Sequence, residues 1–221
     1  MNFMITVYGE GRGFRVVWLL EEMGLPYQLR DVNLLQNLEK EDPEFLKINP
    51  AGFIPALDDG DVRMVESIAI MQYLTARYGP SPLAPELGEP AYPTYLQFMM
   101  MGEAGLSNPM YYYTNMHRIV PEADRSARFD SFILYQFESR LDLIRRQLEQ
   151  KPYVAGDHFT AADISVTYAL ENARRGAGYE FAGAVKDYLA RMTAREGYHR
   201  AMAACPATRS WEERSRRERA R

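Results

Sequence analysis

The chain has 221 residues and a mass of 25.5 kDa, one large domain or two small ones, and a fold of that size buries about 70% of the extended chain's surface without staples. Apolar residues at 47% and charged residues at 25% exclude disordered, collagen-like and low-complexity classes. A formal net charge of −4 gives no general attraction to nucleic acid.

Ile5 to Tyr8 is short, β-branched and aromatic and ends at Gly9, which predicts a buried strand. Gly9-Glu10-Gly11-Arg12-Gly13 turns the chain. Phe14, Val17, Trp18 and Met23 then recur at helical spacing until Gly24 and Pro26 stop the helix. Tyr27 to Val32 reads as a second strand. Ile54 to Leu57 and Val62 to Val65, separated by Asp58-Asp59-Gly60-Asp61, read as a hairpin. A helix follows from about Glu66 to Tyr78. Five prolines and two glycines between Gly79 and Pro93 break regular structure and mark a linker. The expected division is therefore a first domain over 1–79, a linker over 80–92 and a second domain over 93–221.

The second domain reads as helical, from Tyr95 to Met101, Phe129 to Leu148 and Ile164 to Leu170. Thr160-Ala161-Ala162-Asp163 is a capping-box pattern ahead of the last of these. The tail from Pro206 to Arg221 carries six Arg against three Glu. It reads as a solvated, frayed helix end, with contact to an anionic partner as the lesser alternative.

Several chemistries lack their residues. A strand, a Gly-x-Gly turn, a helix and then Asp31 resemble a dinucleotide fingerprint, but Phe14 stands where the third glycine belongs and no further βαβ units follow. His117, His158 and His199 form no ligand-spaced pair, so no metal is expected. There is no G-x-S-x-G elbow and no P-loop lysine. Cys205, the single cysteine, closes no intrachain disulfide and suits a reducing cytosol. Met1 to Val7 has no export-signal pattern, and no apolar run approaches the 18 residues of a membrane span. A cytoplasmic protein that contacts neither membrane nor nucleic acid is expected.

Pro55, beside a strand that the hairpin pairs on its other side, removes a ladder donor. A cis bond before it would turn the backbone of Ile54 outward and leave its amide and carbonyl for a ligand; a trans proline on an edge strand is the alternative. Glu66-Ser67 opens a helix, where a hydroxyl and exposed amides suit a ligand carboxylate and the Glu an ammonium. Taken alone, Ser67 reads as an ordinary helix cap.

Trp18-Leu19-Leu20-Glu21-Glu22-Met23-Gly24-Leu25-Pro26-Tyr27, the run from Asn49 to Leu57, Glu66-Ser67, and Thr160 to Asp163 resemble the cytosolic glutathione transferase family, bacterial type, in order and spacing over nearly the whole chain. The resemblance implies an α/β thioredoxin-like N-terminal domain, an all-α C-terminal domain and a homodimer. It also implies that Ile54, beside a cis Pro55, pairs with the cysteinyl backbone of glutathione and that Glu66 and Ser67 hold its γ-glutamyl end.

Catalysis requires thiolate. A free thiol with pKa about 8.5 is about 3% ionised at pH 7, and lowering it by two units gives roughly 75%, about 2.7 kcal/mol of stabilisation. Family members place a Tyr, Ser or Cys near the end of the first strand, beside a helix N-terminus that favours the anion. Here the turn is about two residues shorter, positions 10 to 15 contain no Ser, Thr or Cys, and Gly11 or Arg12 stands at the matching position. Tyr8, followed by Arg12-Gly13, resembles the tyrosine-type members and is the expected hydrogen-bond donor to the thiolate; a core tyrosine is the plain alternative. Arg12 and Arg15 are the alternative cations, and an inward Glu10 would oppose them. Phe53 stands where many relatives carry a polar or basic residue, and Lys40 could take that contact with the glycine carboxylate.

Met99 to Met101 and Met110 to Tyr113 lie in the region where the family builds its electrophile pocket, with Tyr111 and Tyr112 as lining candidates and core packing as the alternative. The expected activity is attack of glutathione on small apolar electrophiles. A glutathione-dependent isomerase, reductase or dehalogenase, or a non-catalytic glutathione-binding or protein-interaction module, are the rivals.

Overall fold

The β-branched Ile5-to-Tyr8 run forms β1 (Ile5–Tyr8) in a computed structural model that describes residues 4–32 and 42–219. A 3-10 turn, Gly11–Gly13, leads into α1 (Phe14–Met23). Gly24 ends α1 at φ 66°, where the amides of Gly24 and Leu25 close onto the carbonyls of Glu21 and Leu20. β2 (Tyr27–Arg30) lies parallel to β1, as a crossover through α1 requires. Asp42 caps α2 (Pro43–Leu46) by accepting from the Phe45 amide at 2.9 Å. The hairpin of β3 (Ala56–Asp59) and β4 (Val62–Val65) completes a sheet of order β2-β1-β3-β4, and α3 (Ser67–Arg77) follows. β3 starts at Ala56 rather than at the expected Ile54: the Ile54–Pro55 bond is cis, and Pro55 has no amide for the ladder.

Beyond the linker come α4 (Tyr92–Met101), a π-helical stretch Gly102–Ser107, α5 (Asn108–Ile119), α6 (Ala127–Leu148) and α7 (Ala161–Ala177). The stripe Ile133, Phe137, Leu141 and Ile144 is the buried face of α6. Gly102 lets the π-helical stretch run close to α7, because a Cβ there would lie 2.2 Å from the Ser165 hydroxyl, which donates to the Met99 carbonyl at 2.8 Å. At the start of α7 the buried Asp163 accepts from the amides of Thr160 (2.8 Å) and Val154 (3.0 Å) and from the Tyr188 hydroxyl (2.9 Å). Then follow α8 (Gly183–Thr193), α9 (Glu196–Ala204) and α10 (Pro206–Arg219).

The chain divides into two compact units, Met1–Ser81 with Arg195–Trp211, and Pro82–Ala194 with Glu212–Arg221. Residues 195–211 group with the sheet and not with the helical domain expected over 93–221. The cause is the outer face of α1. Tyr198 meets Trp18 and Phe14 edge-on, with ring centroids 5.0 and 5.6 Å apart. Arg195 grips Glu22 at 2.8 and 2.9 Å, and Arg200 reaches Glu21 at 2.8 Å. In the second unit the side chains of Glu171, Arg174, Arg175 and Glu212 form a largely buried ion cluster. Sheet-plus-helix first and helices second give the expected fold class. No helix among the described residues is long and apolar enough to cross a membrane.

Candidate active site

Strand register gathers the candidate residues of the first unit. Tyr8, the last residue of β1, sits opposite Ala56 at the start of β3, and Ala56 sits opposite Val65 at the end of β4. Gly9, Pro55 and Glu66 therefore emerge at one end of the sheet. Gly9 has φ 81°, and a Cβ there would lie 2.4 Å from Ile54 Cγ2; one on Gly13 would lie 3.3 Å from Pro55 Cβ. Glycine at these positions lets the turn rest directly on the Ile54–Pro55 dipeptide.

The loop ahead of that dipeptide is braced by a residue that the sequence reading did not single out. Asn49, buried, donates through Nδ2 to the Phe53 carbonyl at 2.6 Å and accepts at Oδ1 from the Ala51 amide at 3.1 Å. Its carbonyl accepts from the Gly52 amide at 3.0 Å. The available signal was the Asn-Pro dipeptide, which initiates turns. Ile54, just beyond, makes no main-chain hydrogen bond among the described residues. An amide and a carbonyl in that condition are a donor and an acceptor awaiting partners.

Glu66 precedes α3 at φ 70° and ψ 102°, a region that non-glycine residues occupy at a cost. Its carbonyl accepts from the Ile70 amide at 2.8 Å. Ser67 opens α3, buried, and its hydroxyl has no hydrogen bond among the described residues. The first amides of α3 also lack intrahelical acceptors. Together they make a donor-rich pocket edge for an anion.

Tyr8 projects from the other face of the sheet from Val7. Its ring lies 5.9 Å from that of Phe45 and joins the cluster of Val32, Phe45 and Ala56. The Arg30 guanidinium stands 5.4 Å over the ring. Burial and then the Asp58 charge raise the phenol above its ordinary value, so it is protonated at neutral pH and able to donate. Arg12 sits mid-turn, partly buried, while Arg15 lies fully inside. Glu10 does not point at the turn's ligand side. Its carboxylate accepts from the amides of Ala207 (3.0 Å) and Thr208 (2.7 Å) and from the Thr208 hydroxyl (2.9 Å). Phe53 is partly exposed on its loop, and Lys40 lies outside the described residues.

In the second unit Tyr111 and Tyr112 are 52% and 59% exposed on α5, their rings edge-to-face at 5.7 Å. Tyr113 stacks on His117 at 4.2 Å, and His117 Nε2 meets Asp130 at 3.0 Å. Among the described residues no three His, Cys, Asp or Glu side chains are disposed to hold a metal ion. Cys205 is buried in the first unit, and burial followed by the charges of Glu10 and Glu21 pushes its thiol far up, which leaves it unreactive.

Residues 5–76 match the glutathione S-transferase N-terminal domain and residues 124–214 the C-terminal domain. Glutathione S-transferase 3 of Zea mays is 30% identical over 199 residues, covering 87% of this chain and 89% of its own. The chain belongs to the glutathione S-transferase family. Among solved structures, this family member superposes on a glutathione transferase from Methylococcus capsulatus with a TM-score of 0.79 at 24% identity, covering 92% of this chain and 100% of the other. A family member from Pseudomonas fluorescens, solved with two glutathione bound, gives 0.79 at 24% identity, covering 91% and 93%.

Proposed function

We propose that this glutathione S-transferase family member binds glutathione at the sheet end, lowers its thiol pKa, and joins the sulfur to a small apolar electrophile in the cytoplasm, acting as a homodimer without metal. The observation that carries the reading is the amide and carbonyl of Ile54, which make no main-chain hydrogen bond among the described residues and are held against the glycine turn beside Pro55. The cysteinyl main chain of glutathione supplies the matching acceptor and donor. The Ser67 hydroxyl and the opening amides of α3 take the γ-glutamyl carboxylate, and Glu66 takes its ammonium.

The thiol proton leaves to solvent, and the thiolate rests near the turn that begins α1. Tyr8 donates its phenolic hydrogen to that thiolate, with Arg12 as the second stabilising group. The thiolate then forms a carbon–sulfur bond as the electrophile loses its leaving group or takes up a proton. Tyr111 and Tyr112 are the proposed aromatic contacts of the electrophile.

Calorimetric titration with glutathione, with thiolate absorbance followed against pH, tests the reading. Saturable binding and a bound-thiol pKa well below the free value are expected. Binding with an unshifted thiol would defeat the catalytic reading, and no binding would defeat both. Tyr8→Phe should raise the bound-thiol pKa; no change moves the role to Arg12 or the helix amides.

A further inference from the structure

We propose that Glu10 is a positioning residue for the turn that faces the glutathione sulfur, and that the C-terminal helix α10 is what holds it. The inference rests on the glutathione-binding reading above. Three of the five residues from Gly9 to Gly13 are glycine, with φ 81° at Gly9 and 61° at Gly11. Such a segment is conformationally loose on its own. Its main-chain hydrogen bonds include one from the Gly9 amide to the Arg30 carbonyl on β2 at 2.8 Å, one from the Gly13 amide to the Glu10 carbonyl at 3.0 Å, and one from the Phe14 amide to the Gly11 carbonyl.

Glu10 supplies a side-chain restraint from a distant element. It is only 7% exposed, and its carboxylate takes three donors from the first turn of α10. Helix α10 has a matching deficit. Asp42 and Ser126 cap their helices from the adjoining position, whereas Cys205 precedes α10 without a side-chain oxygen and Pro206 has no amide. The orphan amides of Ala207 and Thr208 are satisfied by a residue 197 and 198 positions away. One interaction thus caps the helix and fixes the turn. It also commits the Glu10 charge to the positive end of a helix dipole, so an acidic residue is tolerated beside a site that must stabilise an anion.

The test uses the full chain, with glutathione as the probe. In Glu10→Ala the thiolate fraction of bound glutathione at a pH near its pKa should fall about fivefold, and kcat with it. The glutathione Kd should stay within about threefold, since Ile54 and Ser67 are untouched. Glu10→Gln keeps an acceptor oxygen and should restore most of both quantities. Thr208→Val, which removes one donor of three, should move them in the same direction by less. A folded Glu10→Ala with the wild-type thiolate fraction would overturn the proposal, as would Glu10→Gln with a thiolate fraction above wild type, the mark of a charge effect. Should Glu10→Ala not fold, a wild-type thiolate fraction in Thr208→Val overturns it. Failure of the wild type to bind glutathione would count against the functional reading alone. In that case amide exchange decides: exchange across Gly9–Gly13 about tenfold faster in Thr208→Val supports the positioning role, and unchanged exchange refutes it.

Discussion

Gly9→Ala separates the two reasons for glycine at the sheet end. A side chain at φ 81° costs about 1–2 kcal/mol in a left-handed backbone. The new Cβ would also stand 2.4 Å from Ile54 Cγ2 and 2.7 Å from Ile54 Cβ, an overpacking worth about 1–3 kcal/mol more. Gly24→Ala is the internal control, because Gly24 has φ 66° and nothing within 4 Å of its added Cβ. It carries the backbone cost alone. Both tryptophans, Trp18 and Trp211, fall in the same unit as these glycines, so urea unfolding followed by tryptophan fluorescence reports on it. With a slope of about 2–3 kcal/mol per molar, the Gly9→Ala midpoint should lie roughly 0.5–1 M below that of Gly24→Ala. Glutathione affinity should drop in Gly9→Ala and hold in Gly24→Ala. Equal midpoints would show that the turn does not rest on Ile54 and would remove the geometric basis of the site.

Ser67→Ala should raise the glutathione Kd about tenfold or more, the worth of a hydrogen bond to a charged group, with little loss of stability because that hydroxyl bonds no described residue; calorimetry reads the first and melting the second. Asp163 is raised to about 6, chiefly by burial, against lowering hydrogen bonds from Val154, Thr160 and Tyr188. A folded value above the unfolded one means a contribution fully present below about 3.9 and lost as pH rises through about 6. Wild type should therefore gain about 1 kcal/mol relative to Asp163→Asn between pH 7 and pH 5, and pH-independent spacing of their urea curves would contradict this. Glu212→Ala takes a carboxylate from Arg175, whose side chain is 1% exposed, and should cost about 3–5 kcal/mol. The double change Arg175→Met with Glu212→Leu should recover most of that loss, read by urea unfolding followed by far-ultraviolet circular dichroism because both residues lie in the second unit.

The first unit was legible because its signals are local. Ile5–Tyr8 is β-branched and aromatic and stops at Gly9, Trp18 and its neighbours recur at a helix's period, and Asp59-Gly60 marks the hairpin. Pro55 in a strand-like run pointed to an unusual backbone, and the bond is cis. The destination of Arg195–Trp211 was not legible: periodicity says that a helix has an apolar face and is silent on which surface covers it. Tyr198 reads as one more buried position until Trp18 and Phe14 are seen beside it. Glu10 was hidden for the same reason, since its partners lie almost the whole chain away. Asn49 was quoted for its place in a motif, but the bracing role of its side chain depends on the carbonyl of Phe53 and the amide of Ala51, which only the folded loop brings within reach.

The absence of Ser, Thr or Cys from positions 10 to 15 has a physical side that differs from one position to the next. At Gly13 a Cβ would stand 3.3 Å from Pro55 Cβ, so a side chain there would press on the dipeptide that presents Ile54. At Gly11 the nearest atom to an added Cβ is Ile54 Cδ1 at 3.9 Å, and space is not the obstacle. The obstacle is φ 61°, a conformation that costs a serine or cysteine about 1–2 kcal/mol. A hydroxyl or thiol at either position would therefore strain the turn or push it off Ile54 and Pro55. With Gly13 given to close approach and Gly11 to its left-handed backbone, the proposed thiolate stabilisation draws on groups other than a small hydroxyl or thiol in the turn. The groups we propose for that role are the Tyr8 phenol, the Arg12 guanidinium and the opening amides of α1, and the placement of the last two depends on the turn being held still.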